Sequence, residues 1–346
     1  MKNNKLFIGL AVMLIILLSG CSNKNSEEIK PENDQTSETL NEANEKISVI
    51  VSEYGIDINE DNVVFTDSQG SEVTISKNPQ RVIVLQNSIL EIWDEAGGIV
   101  VGKVEESQDK IVENAASAEV VGGVGAPSLE KILSLEPDLV IAASSYTGQR
   151  EIIPVLQQSG IEVIALDIDL LEDYYRTVRL FTAVTGREDL YESHINKVQK
   201  GVDNILAKAP KDKNYKTVIL YATAKSVTVR DSNSMVGEML KDLNTLNISD
   251  AADSLTDTKT FSMERILKED PDFIFVQTMG SDMEKIEEKL KSDVLDNPAW
   301  ASLTAVKEDR YNILPKDLYL YKPNNRYPEA YEGLAKILYP EVFEEN

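Results

Sequence analysis

Past Cys21 the chain has no cysteine, and its only histidine is His194. The first absence excludes disulfides, so packing alone must hold the fold, and it excludes iron–sulfur clusters, which need several thiolates. The second excludes sites built from several imidazoles, as in the zinc- or manganese-binding lipoproteins; a manganese or iron site made of carboxylates stays open. His194, between Ser193 and Ile195 on a helical stripe, reads as a solvated surface residue rather than a ligand. Hydrolase signatures of the G-x-S-x-G type are missing, and with them the expectation of catalysis. No basic patch is visible either. The net charge is −24, becoming −26 once Lys2 and Lys5 are removed with a leader. Such a surface repels phosphates, which excludes nucleic acid as a partner. No second long apolar run follows the first twenty residues.

What the N-terminus does contain is specific. Lys2 and Lys5 precede an apolar stretch from Leu6 to Leu18, broken only by Gly9. The stretch is shorter than the roughly 20 residues needed to span a bilayer, and it has the layout of a secretory signal. It closes on Leu18-Ser19-Gly20-Cys21. These four residues resemble the bacterial lipobox. The resemblance implies removal of residues 1–20, a lipid thioether with acyl chains on Cys21, and anchoring on the extracytoplasmic face of the cell membrane. From Ser22 to about Lys46 only one Ile and one Leu stand among Asn, Glu, Ser, Thr and Lys. That composition cannot offset its ordering entropy. Residues 21–58 are therefore expected to be a lipidated flexible tether.

The body reads as α/β. Val63–Asp67 and Glu72–Ile75 flank Ser68-Gln69-Gly70-Ser71, a hairpin signal. Val82–Leu85 is an unalternating β-branched run, as in strands buried on both faces. Ser88 and Glu91 have the spacing of a capping box ahead of a helix with Ile89, Ile92, Trp93 and Ala96 on one stripe, stopped by Gly97-Gly98. Further alternation runs through Ile99–Val104, Ser128–Leu135, Leu139–Ala143, Glu151–Ser159 and Val163–Asp167, predicting an open, mostly parallel sheet. Trp93 and Trp300 are expected in the core. Gly122, Gly123 and Gly125 read as a tight loop, since Ser128 stands where a dinucleotide fingerprint needs its third glycine.

The chain also repeats itself. Ser128-x-Glu130 through Pro137-Asp138 and the strand after it answers Ser262-x-Glu264 through Pro271-Asp272 and its strand, every position offset by 134, while Val82–Leu85 and Val218–Tyr221 are offset by 136. Two lobes of like topology are expected, at residues 59–170 and 211–346. Between them, residues 171–210 form a linker. There Ile195, Val198, Val202 and Ile205 mark one amphipathic helix over Arg187–Lys208, about 33 Å long.

With Asn78-Pro79-Gln80-Arg81-Val82, the Ser-x-Glu…Pro-Asp block in both lobes, and Tyr321-Lys322-Pro323-Asn324-Asn325-Arg326 before Glu329-Ala330-Tyr331, residues 60–340 resemble the solute-binding proteins of ABC importers for iron-siderophores, haem and vitamin B12. The resemblance implies two Rossmann-like lobes joined by one long helix, a ligand cleft between them, no catalysis and no permanently bound cofactor. It also implies a monomer that delivers its ligand to a membrane permease dimer. Glu130 and Glu264 favour their helix macrodipoles as helix-start carboxylates; the resemblance assigns them the docking of permease arginines.

Ligands of open α/β sheets bind beyond the carboxyl ends of the strands. The ligand candidates are therefore Gln86, Asn87, Ser145 and Tyr146 in the first lobe. In the second they are Tyr221 with Ala222, Arg230, Thr278 with Met279, Tyr321, Lys322 and Arg326. Tyr and Met offer broad contact, and the cations could pair with carboxylates or catecholates. A ferric siderophore is the expected ligand. Haem and cobalamin are alternatives, with Leu320 standing where similar sequences often carry histidine.

Overall fold

The computed structural model describes residues 53–106, 111–250 and 262–343. The leader, Cys21 and the tether up to residue 52 lie outside the described residues. Residues 56–58, expected as part of a tether, instead form β1 (Ile56–Ile58), which pairs antiparallel with β2 (Asn62–Thr66), because Ile56 has a core to enter and is only 2% exposed. β2 continues the predicted hairpin with β3 (Glu72–Ser76), and Asp67 closes its loop by accepting the amides of Gln69 and Ser71, each at 2.9 Å.

The first lobe's main sheet is built from β4 (Val82–Val84), β5 (Gly102–Lys103) and β6 (Glu119–Val120), then β9 (Leu139–Ala143) and β10 (Glu162–Leu166). Its order is β10-β9-β4-β5-β6, all parallel. Between these elements β7 (Gly122–Gly123) and β8 (Ala126–Pro127) fold back as the tight turn read from the glycines. The second lobe has β11 (Lys216–Thr223), β12 (Val227–Arg230), β13 (Leu246–Asn247), β14 (Phe273–Met279) and β15 (Tyr311–Ile313). They run in the order β12-β11-β14-β15, with β13 beside the start of β11 and only β12 antiparallel.

Burial on both faces explains the apolar runs. Val82 and Val84, with Leu139, Ile141 and Ala143, face a central core; Ile83, Leu85, Val140 and Ala142 face a second one. In the second lobe Ile219, Phe273 and Phe275 join that same central core, while Val218, Leu220, Ile274 and Val276 turn away to a third. The central core is filled by the helices Leu171–Val184, Glu188–Lys208 and Tyr327–Leu338. The long helix starts at Glu188 with Arg187 as its cap, and its predicted stripe of Ile195, Val198, Val202 and Ile205 is buried. It packs on both other helices, so it belongs to a shared interior. Trp93 meets Phe181 edge-on at 5.1 Å and Trp300 meets Tyr311 likewise at 5.6 Å, both in the core.

The repeat does the same physical work twice. Asp138 accepts the amides of Gln80 and Arg81 just before β4, at 2.6 and 2.9 Å; Asp272 accepts the Lys216 amide opening β11, at 2.8 Å. Arg81 Nε donates to Leu135 O at 2.9 Å and Lys216 Nζ to Glu269 O at 3.0 Å, so each satisfies a carbonyl left bare at the end of its repeat helix. Glu136 and Asp270 both turn the chain there in the left-handed region, at φ 46° and 44°.

Two local expectations are corrected. The helix after β4 spans Asn87–Glu95 with Gln86 at its cap position, so Ser88 lies inside it, buried, and forms no capping box. Glu91 instead accepts from Asn324 Nδ2, and Asn324 also donates to Ser88 O at 2.9 Å. The strand expected over Ile99–Val104 shortens to Gly102–Lys103, because Ile99 is 80% exposed and pairs with no strand. Among the described residues no helix is long and apolar enough to cross a membrane.

Candidate ligand-binding site

Where the strand ends of the two lobes face each other they enclose an open cleft of about 500 Å³, within the ~300–1,000 Å³ range of small-molecule sites. Gln86, directly after the β4 run, lines it in extended conformation at the head of the Asn87–Glu95 helix. Ser145 and Tyr146 follow β9. Their loop is pinned by Asp167, whose carboxylate accepts the Ser145 amide at 2.9 Å and the Ser144 hydroxyl at 2.7 Å. Beneath them the buried amide of Gln149 accepts the Ala143 N–H at 2.7 Å and donates to Leu85 O at 2.8 Å and Val124 O at 2.7 Å. One glutamine thus ties the ends of β4 and β9 to the glycine turn, and the first-lobe wall is rigid.

The second-lobe wall carries Tyr221 from β11, Arg230 from β12 and Met279 from β14, with Tyr321 and Lys322 on the segment after Tyr319. The Arg230 guanidinium lies 3.9 Å from the centre of the Tyr221 ring, a cation–π stack. Because β12 runs antiparallel, Arg230 sits opposite Ile219 in mid-strand, not beyond a parallel strand's carboxyl end. Gln277, buried in β14, donates through Nε2 to Tyr319 O and so holds the Tyr321–Lys322 segment over the sheet. Lys322 Nζ then lies 3.1 Å from Asp169 Oδ1 of the opposite lobe. Burial, with the Tyr221 phenol nearby, raises the pKa of Tyr146 above its ordinary value. It is a neutral hydroxyl at physiological pH, available as donor and acceptor.

Eight of the twelve ligand candidates therefore line one cleft: Gln86, Ser145, Tyr146, Tyr221, Arg230, Met279, Tyr321 and Lys322. Asn87 and Arg326 are not in its lining. Asn87 Nδ2 donates to Glu105 O at 3.2 Å. Arg326 is held by both oxygens of Glu329 at 2.8 Å and by Asp317 at 3.1 Å, a pairing set by the turn into the helix Tyr327–Leu338. Ala222 and Thr278 are buried and do not line the cleft. Leu320 lines the cleft, as its position predicts. Sequence reasoning passed over Asp167, Asp169, Asp231, Ser234, Met235 and Gln277. Applied to β10, the strand-end rule reaches Asp167 and Asp169; Gln277 had no such signal, being a polar residue inside an apolar run.

Glu130 and Glu264 are each the second residue of a helix capped by serine, and both are exposed. Ser128 Oγ accepts the Lys131 amide at 3.3 Å and Ser262 Oγ the Arg265 amide at 3.4 Å. His194 lies on the long helix outside the cleft, where burial and then Lys197 lower its pKa. Among the described residues, no group of three or more His, Cys, Asp or Glu is placed to hold a metal ion.

Comparison with known proteins agrees with this geometry. The periplasmic binding protein family model matches residues 82–318. The Fe(3+)-citrate-binding protein YfmC of Bacillus subtilis is 26% identical over 331 residues, covering 92% of this chain and 91% of that protein. An ABC transporter substrate-binding protein from Listeria monocytogenes superposes with a TM-score of 0.66 at 21% identity, over 76% of this chain and 100% of that one. Staphylococcus aureus SirA, solved with staphyloferrin B, gives a TM-score of 0.65 at 21% identity, covering 80% and 98%. Strand order, shared core, cleft and matched sequence all lead to one assignment: the chain belongs to the periplasmic binding protein family, whose members bind solutes for ABC transporters rather than catalyse reactions.

Proposed function

We propose that this protein captures a ferric siderophore on the extracytoplasmic face of the membrane and passes it to an ABC permease. The observation that carries the reading is the cleft itself: about 500 Å³, walled from both lobes, with Arg230 stacked on Tyr221 and the phenols of Tyr146 and Tyr321 facing it. A guanidinium held over an aromatic ring is pre-organised to take ligand oxygens in a bidentate fashion. Ferric iron in particular is supported by the relative that carries Fe(3+)-citrate in its name. Since the iron arrives with its own ligands, the walls need only polar donors and broad apolar contact.

Glu130 and Glu264, exposed at equivalent helix starts, are the proposed contacts to the permease, one on each half. Cys21 is the proposed lipid anchor. The wild type should bind ferric siderophore saturably at low-micromolar concentration or below, about −8 kcal/mol or better. Glu130→Ala combined with Glu264→Ala should keep that binding and lose iron uptake, and Cys21→Ala should lose fatty-acid labelling. Full uptake by the double variant would return both glutamates to helix-end electrostatics. Tight cobalamin or haem binding with no response to ferric complexes would overturn the choice of ligand.

A further inference from the structure

The charge lining the cleft is unusual for a site that is to hold an anion. Among the described residues, Asp167, Asp169 and Asp231 line it against Arg230 and Lys322, which leaves negative charge in excess. Nor are the two cations equivalent. Lys322 is already matched by Asp169 at 3.1 Å. Arg230 has no carboxylate within ion-pair distance among the described residues, and its face is covered by Tyr221 at 3.9 Å. The Arg326 side chain, which sequence reasoning set in the cleft, directs its charge to Glu329 and Asp317 outside it. Among the described residues, one guanidinium is thus the available positive charge of the site, with aspartates on both walls.

That balance discriminates among ferric complexes, which differ sharply in net charge. Three hydroxamates neutralise a ferric ion, and an amine on the scaffold makes the complex a cation. Three catecholates leave a trianion, and citrate complexes are likewise anionic. A polyanion brought into a partly desolvated cleft meets like charge from the aspartates, a penalty that one arginine does not cancel. A neutral hydroxamate complex meets no such penalty. Its carbonyl and hydroxamate N–O oxygens accept hydrogen bonds from Arg230, Tyr146 and Tyr221, and a pendant ammonium is favoured by Asp231 or Asp169.

Resting on the ferric-siderophore reading, we infer that the cleft is selective for ferric complexes of zero or positive net charge, of the hydroxamate class, over catecholate and citrate complexes. The inference departs from the citrate in the relative's name, because it follows from the charges of this chain's own cleft.

The test is a fluorescence titration of the mature wild-type chain at low and at physiological ionic strength. The probes are ferrichrome (neutral), ferrioxamine B (cationic), ferric enterobactin (trianionic) and ferric citrate. The expected result is that ferrichrome or ferrioxamine B binds at least about tenfold more tightly than either anionic complex, with the gap narrowing as salt rises. Asp169→Asn combined with Asp231→Asn should reduce the hydroxamate-to-catecholate affinity ratio by about tenfold. Equal or tighter binding of ferric enterobactin or ferric citrate by the wild type would overturn the charge selectivity and leave the ferric-siderophore reading intact. No saturable binding of any of the four would overturn both.

Discussion

Lys322 Nζ and Asp169 Oδ1 stand 3.1 Å apart although 153 residues separate them in sequence, so an ion pair joins the two walls of the cleft. The lysine side chain is 19% exposed and the aspartate 71%, which places the pair at the solvent rim. Pairs of this kind contribute ~0–1 kcal/mol. Lys322→Ala and Asp169→Ala should each lower unfolding free energy by less than about 1 kcal/mol in a denaturant titration, with a coupling near 0.5 kcal/mol in the double-mutant cycle. A coupling above about 2 kcal/mol would mean that the lobes depend on this pair, and would contradict a shared apolar core as their main connection.

That core is crossed by a second contact with a measurable pH signature. Glu238 accepts the Leu171 amide at 2.8 Å, and burial raises its pKa, with Asp242, Asp173 and Glu172 adding to the effect and the Leu171 bond opposing it. Folded Glu238 therefore keeps its proton to higher pH than the unfolded chain does. Its ionisation costs stability as pH rises through the raised value, and the cost fades as pH falls toward the ordinary glutamate range. Glu238→Gln, whose amide oxygen can still accept from Leu171, should have the higher melting temperature at pH 7.5, with the difference closing by about pH 4. A less stable Gln variant at neutral pH would show that the charge on Glu238 is worth more than its burial costs.

The duplicated turn offers a comparison within one chain. Glu136 and Asp270 share left-handed geometry, at φ 46° and 44°, where glycine is the least strained residue. Asp270 also ties the turn to a neighbouring helix. Its carboxylate accepts the Thr304 amide at 2.8 Å and the Thr304 hydroxyl at 2.7 Å, bonds that lower its pKa. Glu136→Gly should stabilise by about 0.5–1 kcal/mol. Asp270→Gly should destabilise by about 1 kcal/mol, since two lost hydrogen bonds outweigh the relieved strain. The Asp270 contribution is complete above the ordinary aspartate pKa and is lost as pH falls through its lower folded value. Denaturant midpoints of the two variants at pH 7 decide this; a shift of the same sign in both would contradict it.

The strands, the long helix and the duplication were legible because each rests on local periodicity. Val82–Leu85 reads as a strand buried on both faces, and the stripe from Ile195 to Ile205 as one helical face. Tertiary partners decided the rest. Ser88 has the spacing of a cap, yet Asn324, from the far end of the chain, takes Glu91 away from it. The helix Leu171–Val184 falls inside the expected linker; Tyr174, Val178 and Phe181 mark its buried side only once its neighbours are known. Arg230 was reached by a rule for parallel strands, though the antiparallel β12 delivers it by another route. The strand-end rule reaches Asp167 and Asp169 on β10, but it does not show that Arg326 pairs with Glu329 and Asp317 outside the cleft, so the charge balance of the site emerges only from the structure.

The central claim is that the cleft between the lobes holds a small iron complex. Native mass spectrometry of the mature protein, purified from its iron-starved native host with its ligand in place, tests this most directly. The account predicts an added mass that carries the isotope pattern of one iron, and that is lost on Arg230→Ala substitution. An added mass without iron, or an iron-bearing mass retained in full by the Arg230 variant, would contradict it.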